Sequence, residues 1–170
     1  MHKPQIVSSL VLPLADEAAT LALGGALARQ LQPGMVIFLS GDLGAGKTTL
    51  ARGLLRGLGH TGRVKSPTFS LVEVYKVSSL YFYHFDFYRF DRFDEWRSSG
   101  LQEHFNPDTV CLVEWPEKAA GLPPPDLALT LSPDGAGRTA EIVAHTRAGR
   151  QCLDGLAAII APEDPRSHDR

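Results

Sequence analysis

The sequence predicts an α/β fold of three layers, built around a mixed, partly parallel central sheet. An apolar run at residues 35–39 has the length of a buried strand, a glycine-rich loop follows it, and an amphipathic helix pattern begins at Lys47. Further strand-like and helix-like patterns alternate along the chain. With 170 residues, of which 44% are apolar and 21% charged, the chain resembles one ordinary globular domain. We predict a single domain over residues 1–160 and a polar, disordered tail over 161–170.

The first third of the chain predicts a strand, a helix and a second strand. The apolar run at 6–12 is interrupted by serines and is followed by acids, which favours an edge strand over a secretory signal. Asp16 is positioned to cap a helix whose apolar residues recur every four positions: Ala19, Leu23, Leu27 and Leu31. The run at 35–39 then predicts a parallel strand buried on both faces.

The rest of the chain predicts a hairpin, a buried strand, a second hairpin and a last helix. Segments 69–77 and 80–87 are dense in Val, Tyr and Phe, and a two-serine link predicts that they pair. Short helices are expected over 91–105 and a buried strand over 110–113. Strands at 127–131 and 139–144 flank a predicted turn at 133–135, and a helix is expected over 149–160.

Charge and cysteine content exclude several classes of protein. With 17 basic and 19 acidic side chains, the chain does not bind nucleic acid through bulk positive charge. Cys111 and Cys152 form neither a disulfide framework nor a four-ligand metal site, so we expect both to be buried and reduced. No stretch approaches about 18 unbroken apolar residues, so we expect no membrane span and a cytoplasmic protein.

The glycine-rich loop matches the pattern G-x-x-x-x-G-K-[ST] in full. It consists of Gly41, Asp42, Leu43, Gly44, Ala45, Gly46, Lys47 and Thr48. Glycines allow backbone N–H groups to converge on phosphate oxygens, and the following helix adds its positive end. Lys47 is expected to bridge the β- and γ-phosphates, and the Thr48 hydroxyl to bind Mg²⁺. The sequence therefore predicts ATP and Mg²⁺ as cofactors. Guanine specificity is disfavoured because the chain has no Asn-Lys-x-Asp segment.

Two carboxylates are candidates for the chemistry that follows binding. Hydrolysis needs a second anchor for Mg²⁺, usually an acid at the end of another buried strand. Glu114 ends the run 110–113 and fits this role, although a surface carboxylate is the alternative. Asp86 lies among aromatic residues, where an unpaired charge is costly. We expect it to face a cation, a water or the metal, unless it pairs with Arg89 or Arg92.

Two further polar residues, His84 and Thr68, have two interpretations each. His84 is either a base or, more in keeping with its surroundings, a hydrogen-bonded structural histidine. Thr68 ends a Ser-Pro-Thr segment at the place where a phosphate-dependent switch is common, so it either touches metal or phosphate or belongs to a simple turn.

Four motifs, at residues 41–49, 64–68, 83–89 and 111–116, together resemble the ordered signature of the TsaE family, formerly YjeE. The resemblance spans residues 12–117. It implies an ATPase of bacterial tRNA modification, needed to make N6-threonylcarbamoyladenosine at position 37. It also implies that the protein docks on the TsaB–TsaD heterodimer, in which TsaD carries the transfer chemistry, and meets tRNA through that complex.

The resemblance also assigns roles to individual residues. It implies phosphate binding by the loop including Thr49, metal binding by Thr48 and Glu114, and a catalytic or switch role for Asp86. Trp115 would lie close to the nucleotide, and Glu17 aligns with a segment that approaches it.

Two other functions remain open. A small-molecule kinase is disfavoured because the chain has no arginine-rich lid to close over an acceptor. A nucleotide-dependent interaction module, in which hydrolysis is incidental, is the stronger alternative because the sequence assigns no arginine finger. Activation of a slow ATPase by a partner would reconcile these interpretations.

Overall fold

The computed structural model describes residues 8–42, 44–90, 96 and 99–160. Within these ranges the chain forms seven strands and three α-helices. The strands are β1 (Ser9–Leu14), β2 (Val36–Ser40), β3 (Val72–Val77), β4 (Leu80–Asp86), β5 (Thr109–Glu114), β6 (Leu127–Asp134) and β7 (Gly137–Ala144). The helices are α1 (Glu17–Ala28), α2 (Lys47–Leu58) and α3 (Arg147–Ile160).

All seven strands belong to one mixed sheet, which confirms the predicted fold class. Their order is β1-β7-β6-β2-β5-β4-β3. Strand β2 runs parallel to β5 and β6, and β4 runs parallel to β5, whereas β1, β3 and β7 pair antiparallel with their neighbours. Because β2, β4 and β5 are parallel, their carboxyl ends meet at one edge of the sheet, where Glu114 lies beside both Leu39 and Asp86.

The three helices pack into one apolar core on one face of the sheet. Leu27 of α1, Leu54 of α2 and Leu156 of α3 are fully buried there. Helices α1 and α2 lie unusually close, because a Cβ atom on Gly24 would stand 2.5 Å from the Leu50 carbonyl oxygen. Any larger side chain at Gly24 would clash with the backbone of α2 and force the two helices apart.

The opposite face is covered mainly by aromatic side chains. Phe85 and Phe87 pack with Trp96 and Phe105, at centroid distances of 5.1 to 5.6 Å. A single turn of 3₁₀-helix at Leu101–His104 adjoins this cluster. A second turn of 3₁₀-helix, Pro116–Lys118, also adjoins it. Of the short helices expected over 91–105, the structure describes the turn at Leu101–His104, and residues 91–95 and 97–98 lie outside the described ranges.

Several predicted boundaries are displaced in the structure. The first strand is Ser9–Leu14 instead of 6–12, α1 ends before Leu31, and the first hairpin begins at Val72 because the segment before it forms turns. The predicted turn at 133–135 is wrong: Asp134 pairs with Gly137, so only Gly135 and Ala136 form the loop. Helix α3 begins two residues earlier than predicted.

Parts of the predictions lie outside the described residues. These are the start of the first predicted strand, Leu43 of the loop, residues 91–95 and 97–98, and the tail at 161–170. None of the helices in the described ranges has the length and apolar character needed to cross a membrane. Both cysteines are buried and unpaired, as expected, and burial raises the pKa of Cys111 to about 12 and that of Cys152 to about 11.

Candidate functional site

The glycine-rich loop connects the end of β2 to the start of α2. The loop contains a turn that is closed by a backbone hydrogen bond of 3.0 Å from the Ala45 N–H to the Asp42 carbonyl oxygen. Gly41 has a φ of 151°, and a Cβ atom there would lie 2.7 Å from the Leu131 carbonyl oxygen of β6. Gly41 is thus required both by its backbone conformation and by the close approach of the neighbouring strand.

A buried charged cluster lies beside this loop. The Lys47 Nζ atom is 3.7 Å from one Glu114 carboxylate oxygen, and His84 Nε2 is 2.7 Å from the other. The three residues are only 7%, 4% and 1% exposed, respectively. Their positions follow from the sheet: Glu114 ends β5, and His84 lies two residues before the end of the neighbouring parallel strand β4. Of the two interpretations of His84, the hydrogen-bonded histidine agrees with this contact.

Trp115 forms one wall next to the cluster. It follows Glu114 in a left-handed backbone conformation with a φ of 56°. Its ring lies 4.5 Å from the Lys47 Nζ atom and 5.0 Å from the Tyr88 ring centre. An ammonium over an indole face is an attractive cation–π contact. The Lys47 head group therefore contacts both the Trp115 ring and the Glu114 carboxylate.

Asp86 is held by neutral donors. It accepts hydrogen bonds from the Thr68 hydroxyl at 3.2 Å and from the Tyr88 N–H at 2.9 Å. Arg89 instead stacks on the Phe69 ring at 4.1 Å, and Arg92 lies outside the described residues. Burial raises the pKa of Asp86, with a further contribution from the Glu114 charge; the hydrogen bond from Tyr88, that from Thr68 and the Lys47 charge oppose the rise.

These residues line one cleft of about 250 Å³ at the carboxyl edge of the sheet. Its lining residues come from the loop, the 66–68 segment, two strand ends and β7: Gly44, Gly46, Lys47, Thr48, Thr49, Ser66, Thr68, Asp86, Glu114, Trp115 and Arg138. The cleft thus combines cations and the N-terminus of α2 with two carboxylates. Such a donor set suits an anion that carries a divalent cation, because the cation separates the phosphate charge from the carboxylates.

Other predicted site residues lie outside the cleft lining. Glu17 begins α1 with a side chain that is 70% exposed, and it pairs with Arg52 of α2 at 3.9 Å. Asp42 is exposed, and Ala45 is buried in the loop. Nucleotide contacts for Glu17 and Asp42 therefore stay predictions.

Arg138 is the cleft residue that the sequence did not reveal. Its Nε atom donates to the Ala45 carbonyl oxygen, and its Nη2 atom donates to that of Gly44 at 2.9 Å. Arg138 lies on β7, more than 90 positions from the loop. No local pattern distinguishes it from other surface arginines, so only the packing of the second hairpin against the loop identifies it.

Replacing Asp86 with Asn is expected to stabilise the protein at neutral pH. Asp86 holds its proton more tightly in the folded chain than its ordinary pKa of 3.8 implies. The free energy of unfolding therefore falls as the pH rises from about 3.8 through the raised pKa, and the folded state remains less stable by this amount at neutral pH. In Asp86→Asn the amide oxygen can still accept from Tyr88, and the Thr68 hydroxyl can accept from the amide N–H.

Thermal unfolding at several pH values tests this expectation. The melting temperature of Asp86→Asn should exceed that of the wild type near pH 7, and the two should converge below about pH 4. Asp154→Asn, at an exposed position of α3, is the matched control. A variant that is less stable at neutral pH, or a difference that does not depend on pH, would contradict the burial cost assigned to Asp86.

Comparisons with known proteins agree with this geometry. A family model described as "Threonylcarbamoyl adenosine biosynthesis protein TsaE" matches residues 14–141. The tRNA threonylcarbamoyladenosine biosynthesis protein TsaE of Haemophilus influenzae is 39% identical over 157 residues, covering 89% of this chain and 99% of its own. The protein of that name from Synechocystis is 42% identical over 119 residues, which cover 68% of this chain and 76% of its own.

A solved structure shares the fold. The crystal structure of Bacillus subtilis YdiB superimposes with a TM-score of 0.74 at 30% sequence identity. The match covers 91% of this chain and 98% of that one.

Proposed function

This chain belongs to the TsaE family of tRNA threonylcarbamoyladenosine biosynthesis, and we propose that it is a Mg²⁺-dependent ATPase that acts with the TsaB–TsaD heterodimer. The observation that carries this proposal is the cleft in which Lys47, Thr48, Asp86 and Glu114 meet. It combines an anion cradle with oxygen ligands for a divalent cation, which is the minimum that a nucleoside triphosphate with Mg²⁺ requires.

The residues of the cleft divide the work of binding. The loop N–H groups and the first turn of α2 receive the phosphates, and Lys47 neutralises their charge. The Thr48 hydroxyl and the Glu114 carboxylate are the groups that would hold Mg²⁺, which supplies electrostatic stabilisation to the phosphates when bound. No cluster of three His, Cys, Asp or Glu ligands occurs in the described part of the chain. Phosphate-bound Mg²⁺ uses only one or two protein carboxylates, so this donor set fits it.

Asp86 is the group best placed to handle a proton. Its side chain is 4% exposed, lines the cleft and is held in place by Thr68 and Tyr88. A raised pKa makes a carboxylate a better proton acceptor at neutral pH. Asp86 would orient the attacking water and take its proton at a carboxylate oxygen, while Thr68 couples this position to the 66–68 segment.

The arginine content of the cleft supports activation by a partner. Among the described residues, Arg138 is the only arginine that lines the cleft, and its Nε and Nη2 atoms donate to loop carbonyl oxygens. Phosphate-loop proteins hydrolyse nucleotide slowly when no arginine is available to stabilise the charge on the transferred phosphate. We therefore propose slow hydrolysis by the isolated chain, stimulation by TsaB–TsaD, contact with tRNA only through that complex, and action in the cytoplasm.

The lack of an assigned arginine finger also favours a second candidate function. If no partner completes the site, the chain is a nucleotide-dependent interaction module, and its bound nucleotide controls docking while hydrolysis is incidental. The two functions differ in whether the partner raises the rate of hydrolysis or only responds to the nucleotide that is bound.

Phosphate release from ATP tests the proposal. The purified wild-type chain is assayed alone and with TsaB–TsaD, each with Mg²⁺ and with a chelator. We expect slow release alone and strong, Mg²⁺-dependent stimulation by the heterodimer. ATP-dependent docking without stimulation would favour the interaction module, and transfer of phosphate to an added acceptor would favour a kinase. Absence of nucleotide binding would refute the proposal altogether.

A further inference from the structure

The second hairpin of the sheet supports the glycine-rich loop from behind. Strand β6 approaches the loop at Gly41, where its Leu131 carbonyl leaves no room for a side chain. Strand β7 contributes Arg138, whose guanidinium donates to the carbonyl oxygens of Gly44 and Ala45. Two successive loop carbonyls are therefore bound by one rigid, planar group.

These two contacts determine where the loop N–H groups point. In a trans peptide the C=O and the following N–H are directed to opposite sides. Holding the carbonyls of Gly44 and Ala45 on the Arg138 side thus turns the N–H groups of Ala45 and Gly46 away from it. The Ala45 N–H closes the loop onto Asp42. Gly46 caps the start of α2, where helix N–H groups have no acceptor within the helix and are available to an anion.

The fit between Arg138 and Gly46 is tight. Gly46 has a φ of 98°, and a Cβ atom at this position would lie 2.6 Å from the Arg138 Nε atom. The guanidinium occupies the space that any side chain at position 46 would need. The last glycine of the motif therefore meets two requirements at once, a left-handed backbone and the close approach of an arginine.

The charge of Arg138 is not compensated nearby. In the described part of the chain no carboxylate lies within 4.0 Å of its guanidinium, whereas Lys47 is paired with Glu114. A partly buried cation without an acid raises the positive potential of the loop and favours phosphate. The orientation of the loop N–H groups and the positive charge of Arg138 therefore both favour phosphate binding.

We infer that Arg138 is a positioning residue that holds the loop peptides in the orientation needed to bind the β-phosphate of a nucleotide. This inference rests on the proposed function. Because Arg138 acts through the loop, it contributes to binding of ADP as well as ATP. An arginine that contacted only the transferred phosphate would instead affect the rate of hydrolysis.

Calorimetric titration of Mg–ATP and Mg–ADP into four proteins tests the inference. They are the wild type, Arg138→Ala, Arg138→Lys and the control Arg150→Ala, at an exposed position of α3. We expect Arg138→Ala to weaken both nucleotides by about tenfold or more, while kcat with TsaB–TsaD at saturating ATP stays within about threefold. Arg138→Lys should recover less than half of the loss on a logarithmic scale, because an ammonium cannot form the two-pronged contact.

The outcomes show whether the proposed role of Arg138 fails alone or together with the proposed function. A wild type that binds no nucleotide would refute both. A wild type that binds nucleotide, with Arg138→Ala within about twofold of it, would refute the inference alone. So would a fall in kcat at unchanged affinity, or full rescue by Arg138→Lys, which would reduce the role to charge. If Arg138→Ala does not fold, the weaker binding expected of Arg138→Lys decides the question.

Discussion

The Lys47→Met variant is expected to lose ATP hydrolysis by about 10²- to 10³-fold in kcat/KM, the largest effect among the single substitutions considered. Methionine keeps the length and packing of the aliphatic stem but removes the charge. The Lys47 side chain is 7% exposed, and its ammonium contacts the Glu114 carboxylate and the Trp115 ring. In so dry a position its interaction with a phosphate is weakly screened, so the loss is larger than at an exposed site.

A matched control separates this loss from a general effect of charge. Lys76 is exposed on β3, and Lys76→Met removes the same group away from the cleft. The control should hydrolyse ATP as the wild type does. Phosphate release with TsaB–TsaD and thermal unfolding are measured for all three proteins. If folded Lys47→Met kept activity within about threefold of the wild type, the anion cradle assigned to the loop would be wrong.

The elements of the fold could be predicted because each is specified by a local pattern. Residues 35–39 and the helix from Lys47 are adjacent in sequence, so their hydrophobic periods and the glycines between them define a strand, a loop and a helix. Asp16 indeed caps α1, accepting from the Ala19 N–H at 2.8 Å. The turn at 133–135 was misplaced because strand register depends on pairing across the hairpin, which turn-forming residues alone do not determine.

The candidate site was predictable only where it follows from strand ends. Glu114 and Asp86 each end a buried run, and parallel strands bring their carboxyl ends together. The partner of His84 follows from the β4–β5 register and could not be read from the motif. Arg138 depends on a contact between a hairpin and a loop that are distant in sequence. Local patterns therefore locate the groups that face the ligand and miss the group that holds the loop.

The Glu114→Gln variant is expected to separate nucleotide binding from hydrolysis. Glutamine keeps the shape of the side chain and can still hydrogen-bond to His84, but it removes one of the two carboxylates that face the phosphate site. Binding of ATP without Mg²⁺ should be as tight as in the wild type or tighter, because Lys47 is released from its ion pair and a negative charge is lost. The Mg²⁺ concentration for half-maximal hydrolysis should rise by about 10- to 100-fold.

Titration of Mg²⁺ in the phosphate-release assay measures this effect, with calorimetry of metal-free ATP beside it. Glu117→Gln is the control, because Glu117 lies three residues further on and is exposed. The opposite pattern, weaker binding of metal-free ATP with an unchanged Mg²⁺ requirement, would show that Glu114 serves only to hold Lys47 and His84 in place. In that case Asp86, the other carboxylate of the cleft, would be the group that binds Mg²⁺. Its side chain is held in the cleft lining by the hydrogen bonds from Thr68 and Tyr88.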